Sequence, residues 1–88
     1  MKFYWLKLDE ELERFDSPYE AGVYMAYTMS IGPEDVTFTG GIHLHLVDDA
    51  IDYQLYRGDD MGEYTGTLTG KEIMGFLEGM KLESEDRE

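Results

Sequence analysis

His43-Leu44-His45 is the pattern in this chain that most directly suggests chemistry. On a strand, residues i and i+2 share a face, so the two imidazoles would stand about 7 Å apart, a spacing that metal sites use. With Asp52 across a hairpin as a third donor, the set still falls short of the four-ligand shell of structural zinc. Two surface histidines beside a cross-strand carboxylate account for the same residues, and no metal or other cofactor is expected. Asp48-Asp49-Ala50-Ile51-Asp52 has the DDxxD spacing with which carboxylates on a helix hold magnesium against a diphosphate. Here the surrounding pattern is that of strands, and a chain this short cannot enclose the cavity such chemistry needs.

Shorter matches carry less. Arg57-Gly58-Asp59 and Gly58-Asp59-Asp60 are three-letter coincidences that read best as a turn. Asp59, Asp60 and Glu63 lack the alternation and twelfth-position glutamate of a calcium loop. Thr69-Gly70-Lys71 lacks the upstream glycine of a phosphate loop. Twenty acidic residues would permit a paired-carboxylate acid–base site. Such a site needs a concave apolar pocket to separate two pKa values, and a small two-layer domain rarely has one. The chain therefore reads as non-enzymatic.

Charge is the outlying property. Twenty acids against seven bases give −13 over 88 residues, whereas solubility asks for a net charge of only about 2–8 in a small domain. The excess costs self-repulsion, disfavours direct binding to nucleic acid or an anionic membrane, and attracts basic partners. With no cysteine there is no disulfide framework, iron–sulfur cluster or thiolate zinc site, so folding must rest on apolar packing or on association between chains. No apolar run approaches a signal peptide or a span of about 20 residues, which reads as a soluble, cytoplasmic protein.

The elements that must position these residues are legible. Residues 2–8 alternate as a strand with apolar side chains on both faces. Residues 9–16 carry Leu12 and Phe15 at helical spacing from Leu8 and suggest a turn or two of amphipathic helix. Ser17-Pro18-Tyr19-Glu20 is a capping box with proline at the first helical position, and Gly32-Pro33 is a stop, which predicts a helix over about 18–31. From Ala21 to Ile31 it has no charged residue, so more than one side should be covered.

Period-two patterning then predicts strands over 36–38, 42–47, 51–57 and 63–68. A two-residue turn at Asp48-Asp49 would set Leu44 opposite Tyr53 and Ile42 opposite Leu55. A Thr39-Gly40-Gly41 loop would keep Val36 and Phe38 on that face, and Tyr64 and Leu68 would continue it. Thr69-Gly70-Lys71-Glu72 opens a second helix over about 70–82. The expected fold is an α+β two-layer domain over 1–82, a mainly antiparallel sheet of 4–5 strands with two helices in the order β-α-β-β-β-β-α, and a frayed acidic tail over 83–88.

Function follows from surface. Up-and-down tracing sends Glu34, Asp35, Asp48, Asp49, Asp52 and Glu72 to one end of the sheet, and Asp59, Asp60, Glu63 and residues 9–16 to the other. Turns one strand width apart would hold carboxylates at rigid spacings comparable with phosphates along a nucleic-acid strand. The face opposite the core would carry Phe3, Trp5, Val47 and Tyr56, suited to an aromatic anchor within an acidic rim or to a homodimer. These features point to an acidic inhibitor that sequesters a basic nucleic-acid-binding protein or nuclease complex by mimicking nucleic acid. Phage counter-defence, immunity and antitoxin proteins are of this kind. The expected partner-binding residues are Asp48, Asp49, Asp52, Asp59, Asp60, Glu63, Trp5 and Tyr56. The alternative is a homo-oligomeric, sponge-like binder of a small ligand, or a phage accessory protein.

Overall fold

Alternation of Tyr4, Leu6 and Leu8 against Phe3, Trp5 and Lys7 makes β1 (Phe3–Leu8) an inner strand with one face in the core. The computed structural model describes residues 3–47 and 52–86. After β1 come β2 (Glu11–Phe15), α1 (Pro18–Met29), a 3-10 turn (Pro33–Asp35), β3 (Val36–Thr39), β4 (His43–Leu46), β5 (Asp52–Gly58), β6 (Tyr64–Gly66) and α2 (Gly70–Asp86). Among the described residues, six strands form one antiparallel sheet in the order β2-β1-β5-β4-β3, with β6 also paired to β5. Both helices lie on one face, which is the two-layer α+β arrangement that the patterning predicts.

β5 is the hub. β1 occupies one edge, while β4 takes the first half of the other and β6 the second half. The seam is closed by the Leu55 N–H donating to the Ile42 carbonyl (3.0 Å) and the Leu68 N–H to the Gly41 carbonyl (2.9 Å). Leu6, Leu8, Leu44, Tyr53 and Leu55 from the sheet, with Leu68 from the segment between β6 and α2, meet Ala21, Met25, Ala26, Phe76 and Met80 from the helices. Each large side chain fully buried here stabilises by roughly 1.5–3 kcal/mol.

Uncharged from Ala21 onward, α1 is covered on two sides, by the sheet and by α2. Its approach to α2 is backbone to backbone: a Cβ on Gly22 would lie 2.0 Å from the Phe76 carbonyl oxygen, and one on Gly79 would lie 2.2 Å from that of Tyr19. Ser17 caps α1 by accepting from the Glu20 N–H (3.2 Å). Glu20 returns the bond one residue early, to the Asp16 N–H. At α2 the box is reciprocal, Thr69 N–H to Glu72 at 2.9 Å and Glu72 N–H to the Thr69 hydroxyl at 3.3 Å. The helix continues to Asp86, so residues 83–86, assigned to a tail from the sequence, are helical.

Three local expectations are corrected. Residues 11–15 are a strand, not a helical turn. Asp9, at φ 54°, closes a two-residue turn that sets Leu8 opposite Glu11, and pairing with β1 satisfies backbone groups that a one-turn helix would leave open. In the β3–β4 hairpin the loop is Gly40-Gly41-Ile42, both glycines at positive φ, and Phe38 faces Leu44 rather than Ile42. A shift of two preserves the faces, so Val36 and Phe38 still point to the helices. Tyr64 leaves the core face because β6 is bulged, with Arg57 opposite Gly66 and Gly58 opposite Tyr64. The extra residue turns its ring toward Tyr56 on the other side of the sheet.

The β4–β5 register is the predicted one, with Leu44 opposite Tyr53 and His45 opposite Asp52. The expected Asp48-Asp49 turn lies outside the described residues.

Candidate functional site

The site is built from β5 outward. Its C-terminal end delivers Asp59 and Asp60 into a five-residue loop that returns as β6. Asp59 holds this loop together: its Oδ1 accepts from the Met61 N–H (2.9 Å) and the Glu63 N–H (3.0 Å). Its own N–H donates to the Glu63 carbonyl, and its carbonyl accepts from the Gly62 N–H (3.1 Å). The loop folds onto the sheet face away from the helices. Trp5 Nε1–H donates to the Asp59 carbonyl and the Tyr56 hydroxyl to the Gly62 carbonyl, both at 2.7 Å.

Asp59, Asp60, Glu63, Trp5 and Tyr56 are therefore brought together, as one loop seated on two aromatic rings. Asp60 and Glu63 are exposed, Trp5 is half-buried, and Tyr56 is only 7% exposed. Burial raises the Tyr56 phenol above its ordinary pKa, and the charges of Glu63 and Asp59 add to this. Tyr56 thus serves the loop from beneath, while the accessible rim is acidic.

Asp52 stands at the opposite end of β5, about 20 Å away at some 3.4 Å per residue. Asp48 and Asp49 lie outside the described residues. The expected division of acids between the two ends is corrected in two places. Tyr4 faces Phe15 and Arg57, so the Asp9-Glu10 turn is at the far end of β1, with Glu34 and Asp35 near the start of β5. Glu72 instead sits at the end with Asp59 and Asp60, because it contacts Tyr4 and Arg57. The sequence places it wrongly because the entry of α2 over the sheet is a tertiary matter.

Beside the acidic loop, an open groove of about 490 Å³ is lined by Phe3, Arg14, Asp59 and Asp60. The Arg14 guanidinium carbon lies 4.7 Å from the centre of the Phe3 ring, a cation–π contact formed across β1 and β2.

A second polar cluster sits on the helix side of the same end. Arg57 donates from Nε (3.0 Å) and an Nη (2.8 Å) to the Thr67 carbonyl, and its Nε is 3.7 Å from Glu72 Oε1. The Tyr4 hydroxyl donates to Glu72 Oε2 at 2.5 Å. Burial, then the hydrogen bond to Glu72 and its negative charge, push the Tyr4 phenol up to about 12. Burial on its own would raise the Glu72 carboxyl. The Thr69 N–H, the Tyr4 and Thr69 hydroxyls and the Arg57 guanidinium outweigh it and hold the group below the usual carboxylate range. Motif reading missed this trio, yet there is a signal: Tyr4 and Arg57 both occupy the core-facing parity of their strands.

His43 and His45 share the open face of β4, ring centres 6.5 Å apart and planes 24° from parallel. Among the described residues no three histidine or acidic side chains are grouped to hold a metal ion.

Comparison with protein-family models, with curated proteins and with solved structures finds no match.

A rigid loop presents carboxylates beside an aromatic–guanidinium groove, a surface able to take basic side chains. Among the described residues, no helix is long and apolar enough to cross a membrane.

Proposed function

We infer that this protein is a binding module that occupies the nucleic-acid groove of a basic, nucleic-acid-handling protein. The observation that carries the reading is the net charge of −13 on a domain whose acids recur at turns. Asp9-Glu10 and Glu34-Asp35 stand toward one end of the sheet, and Asp59-Asp60 with Glu63 toward the other. Acids on turns of one hydrogen-bonded sheet keep fixed separations, as phosphates do along a duplex, so little ordering entropy is lost on binding. Arg57 is turned inward, onto Thr67 and Glu72.

Inhibition would be competitive. Carboxylates take the places of phosphates on lysines and arginines, and the field of −13 steers encounter. In this reading Trp5 and Tyr56 stiffen the Asp59–Glu63 loop from below.

The test is affinity capture of basic proteins from a host lysate at about 50 mM salt, with elution by a gradient to about 500 mM. A specifically captured nucleic-acid enzyme should elute at moderate salt, be displaced by duplex DNA or RNA, and lose nucleic-acid binding when this protein is added. Reversing the exposed Asp60 and Glu63 to lysine, against the same change at Asp48 and Asp49, identifies the contacting end. Capture that is indifferent to both salt and nucleic acid defeats the mimicry reading.

A further inference from the structure

Three strands have an edge unpaired by another strand among the described residues, and they are protected unequally. β2 carries Glu11, Glu13 and Arg14, the kind of charged edge that deters pairing with other chains. β6 is three residues long and bulged against β5. β3 is Val36-Thr37-Phe38-Thr39, β-branched and aromatic, with neither a charge nor a proline in it. The Asp35 carbonyl accepts from the Val47 N–H, and Thr37 and Thr39 face His45 and His43. By the alternation of an antiparallel ladder, Asp35, Thr37 and Thr39 bond inward, while Val36 and Phe38 turn N–H and C=O outward.

Above this edge stands the flank of α2 that its own fold does not cover. Phe76 meets Phe38 edge-on at 5.4 Å, and Gly79 abuts α1. Met74, Leu77, Glu78 and Lys81 line an apolar groove of about 260 Å³ against Pro33, and Met74 is 63% exposed.

We propose that the β3 edge and the Met74–Lys81 flank of α2 form the contact of a two-fold homodimer, in which β3 pairs antiparallel with β3 of a second copy. One register keeps both helical layers on one side and uses the outward groups. Thr37 meets its own counterpart at the axis, and Val36 faces Phe38 of the second copy, giving about four main-chain hydrogen bonds. In that register Asp35 falls opposite Thr39 and Glu34 opposite Gly40, so the acids of two highly charged chains do not confront each other. The groove is also complementary to itself: it holds one acid and one base, Glu78 and Lys81, which a two-fold axis pairs reciprocally. A second copy satisfies both the strand edge and this charge pattern.

Sedimentation equilibrium of the full chain, from about 1 to 100 µM, reads the outcome as a mass of 10.2 kDa or twice that. A dimer is expected, tighter at about 0.5 M than at 0.05 M salt because screening relieves the repulsion between two charges of −13. This is the reverse of the salt dependence expected for a basic partner, so the two readings fail separately. Thr37 is exposed, and Thr37→Lys sets two lysines side by side at the axis. It should weaken the dimer about fivefold or more while leaving unchanged the circular-dichroism melt taken at a concentration where both proteins are monomeric, even though it lowers the net charge. Glu78→Lys should weaken it too, and adding Lys81→Glu should restore it. A monomer at 100 µM in high salt overturns the proposal, as does a dimer indifferent to Thr37→Lys and Glu78→Lys. A monomer whose β3 amides gain exchange protection only on adding a foreign protein overturns it in favour of a heterologous strand.

Discussion

Substituting Gly22 with alanine tests the helix layer that supports every other element. The added Cβ would sit 2.0 Å from the Phe76 carbonyl oxygen, 2.9 Å from its carbon and 3.1 Å from the Met80 nitrogen. These are main-chain atoms of α2, which cannot rotate aside, so the helices must part by about 1 Å to restore contact. The cost belongs at the upper end of overpacking, about 3 kcal/mol, because Phe76, Met80 and Met25 are all fully buried nearby. Alanine in place of glycine returns about 1 kcal/mol of helix propensity, which leaves a net loss of about 2 kcal/mol. For a domain of this size that lowers the melting midpoint by about 8–16 °C. Gly79→Ala, aimed at the Tyr19 carbonyl oxygen at 2.2 Å, should behave alike.

Gly75→Ala is the control within the same helix. Its nearest contact would be the Pro18 Cβ at 4.0 Å, so propensity acts alone and the midpoint should rise by about 4–8 °C. Urea and thermal unfolding followed by circular dichroism, with Trp5 fluorescence as a second probe, measures all three. A Gly22→Ala protein as stable as the parent, or a Gly75→Ala protein that loses stability, would refute backbone-to-backbone packing of α1 on α2.

The Tyr4–Glu72 pair predicts opposite sensitivities at the two ends of the pH scale. The folded phenol lies above its unfolded value, so its contribution is complete below about pH 10 and lost as pH climbs through about 12. Tyr4→Phe should flatten that alkaline loss. The folded Glu72 carboxyl lies below its unfolded value, so its contribution is complete above the ordinary carboxylate range and disappears as pH falls through the depressed one. Glu72→Gln should flatten the acid limb. Denaturant midpoints against pH check both. At the acidic loop, Tyr56→Phe deletes the bond to the Gly62 carbonyl and should cost about 1 kcal/mol, with faster exchange of the Met61 and Glu63 amides. Unchanged protection of those amides would mean that the loop does not depend on Tyr56.

Charge, the absence of cysteine, both helix starts and the faces of β3, β4 and β5 are all determined locally, and so were legible from sequence. Capping residues act within three positions, and alternation assigns a face even when the register is wrong by two, as it is between Phe38 and Ile42. Residues 11–15 were not legible in this way. Leu8, Leu12 and Phe15 satisfy a helical period, and only the presence of β1 alongside makes the extended form the one whose backbone groups are paired. Tyr64 escaped for the same reason, since a bulge is a property of two strands and not of one.

The candidate site divides similarly. The acidic pairs at turns are visible in the chain itself. That Asp59 spends its carboxylate on its own loop, that Tyr56 is buried beneath that loop, and that Glu72 joins Tyr4 and Arg57 depend on contacts between residues up to 68 positions apart. Sequence by itself determined the composition, the local starts and the alternating faces of this protein. Tertiary structure alone decided which acids are spent inside the fold and which face outward, because hydrogen-bond partners and burial are set by packing across the sheet.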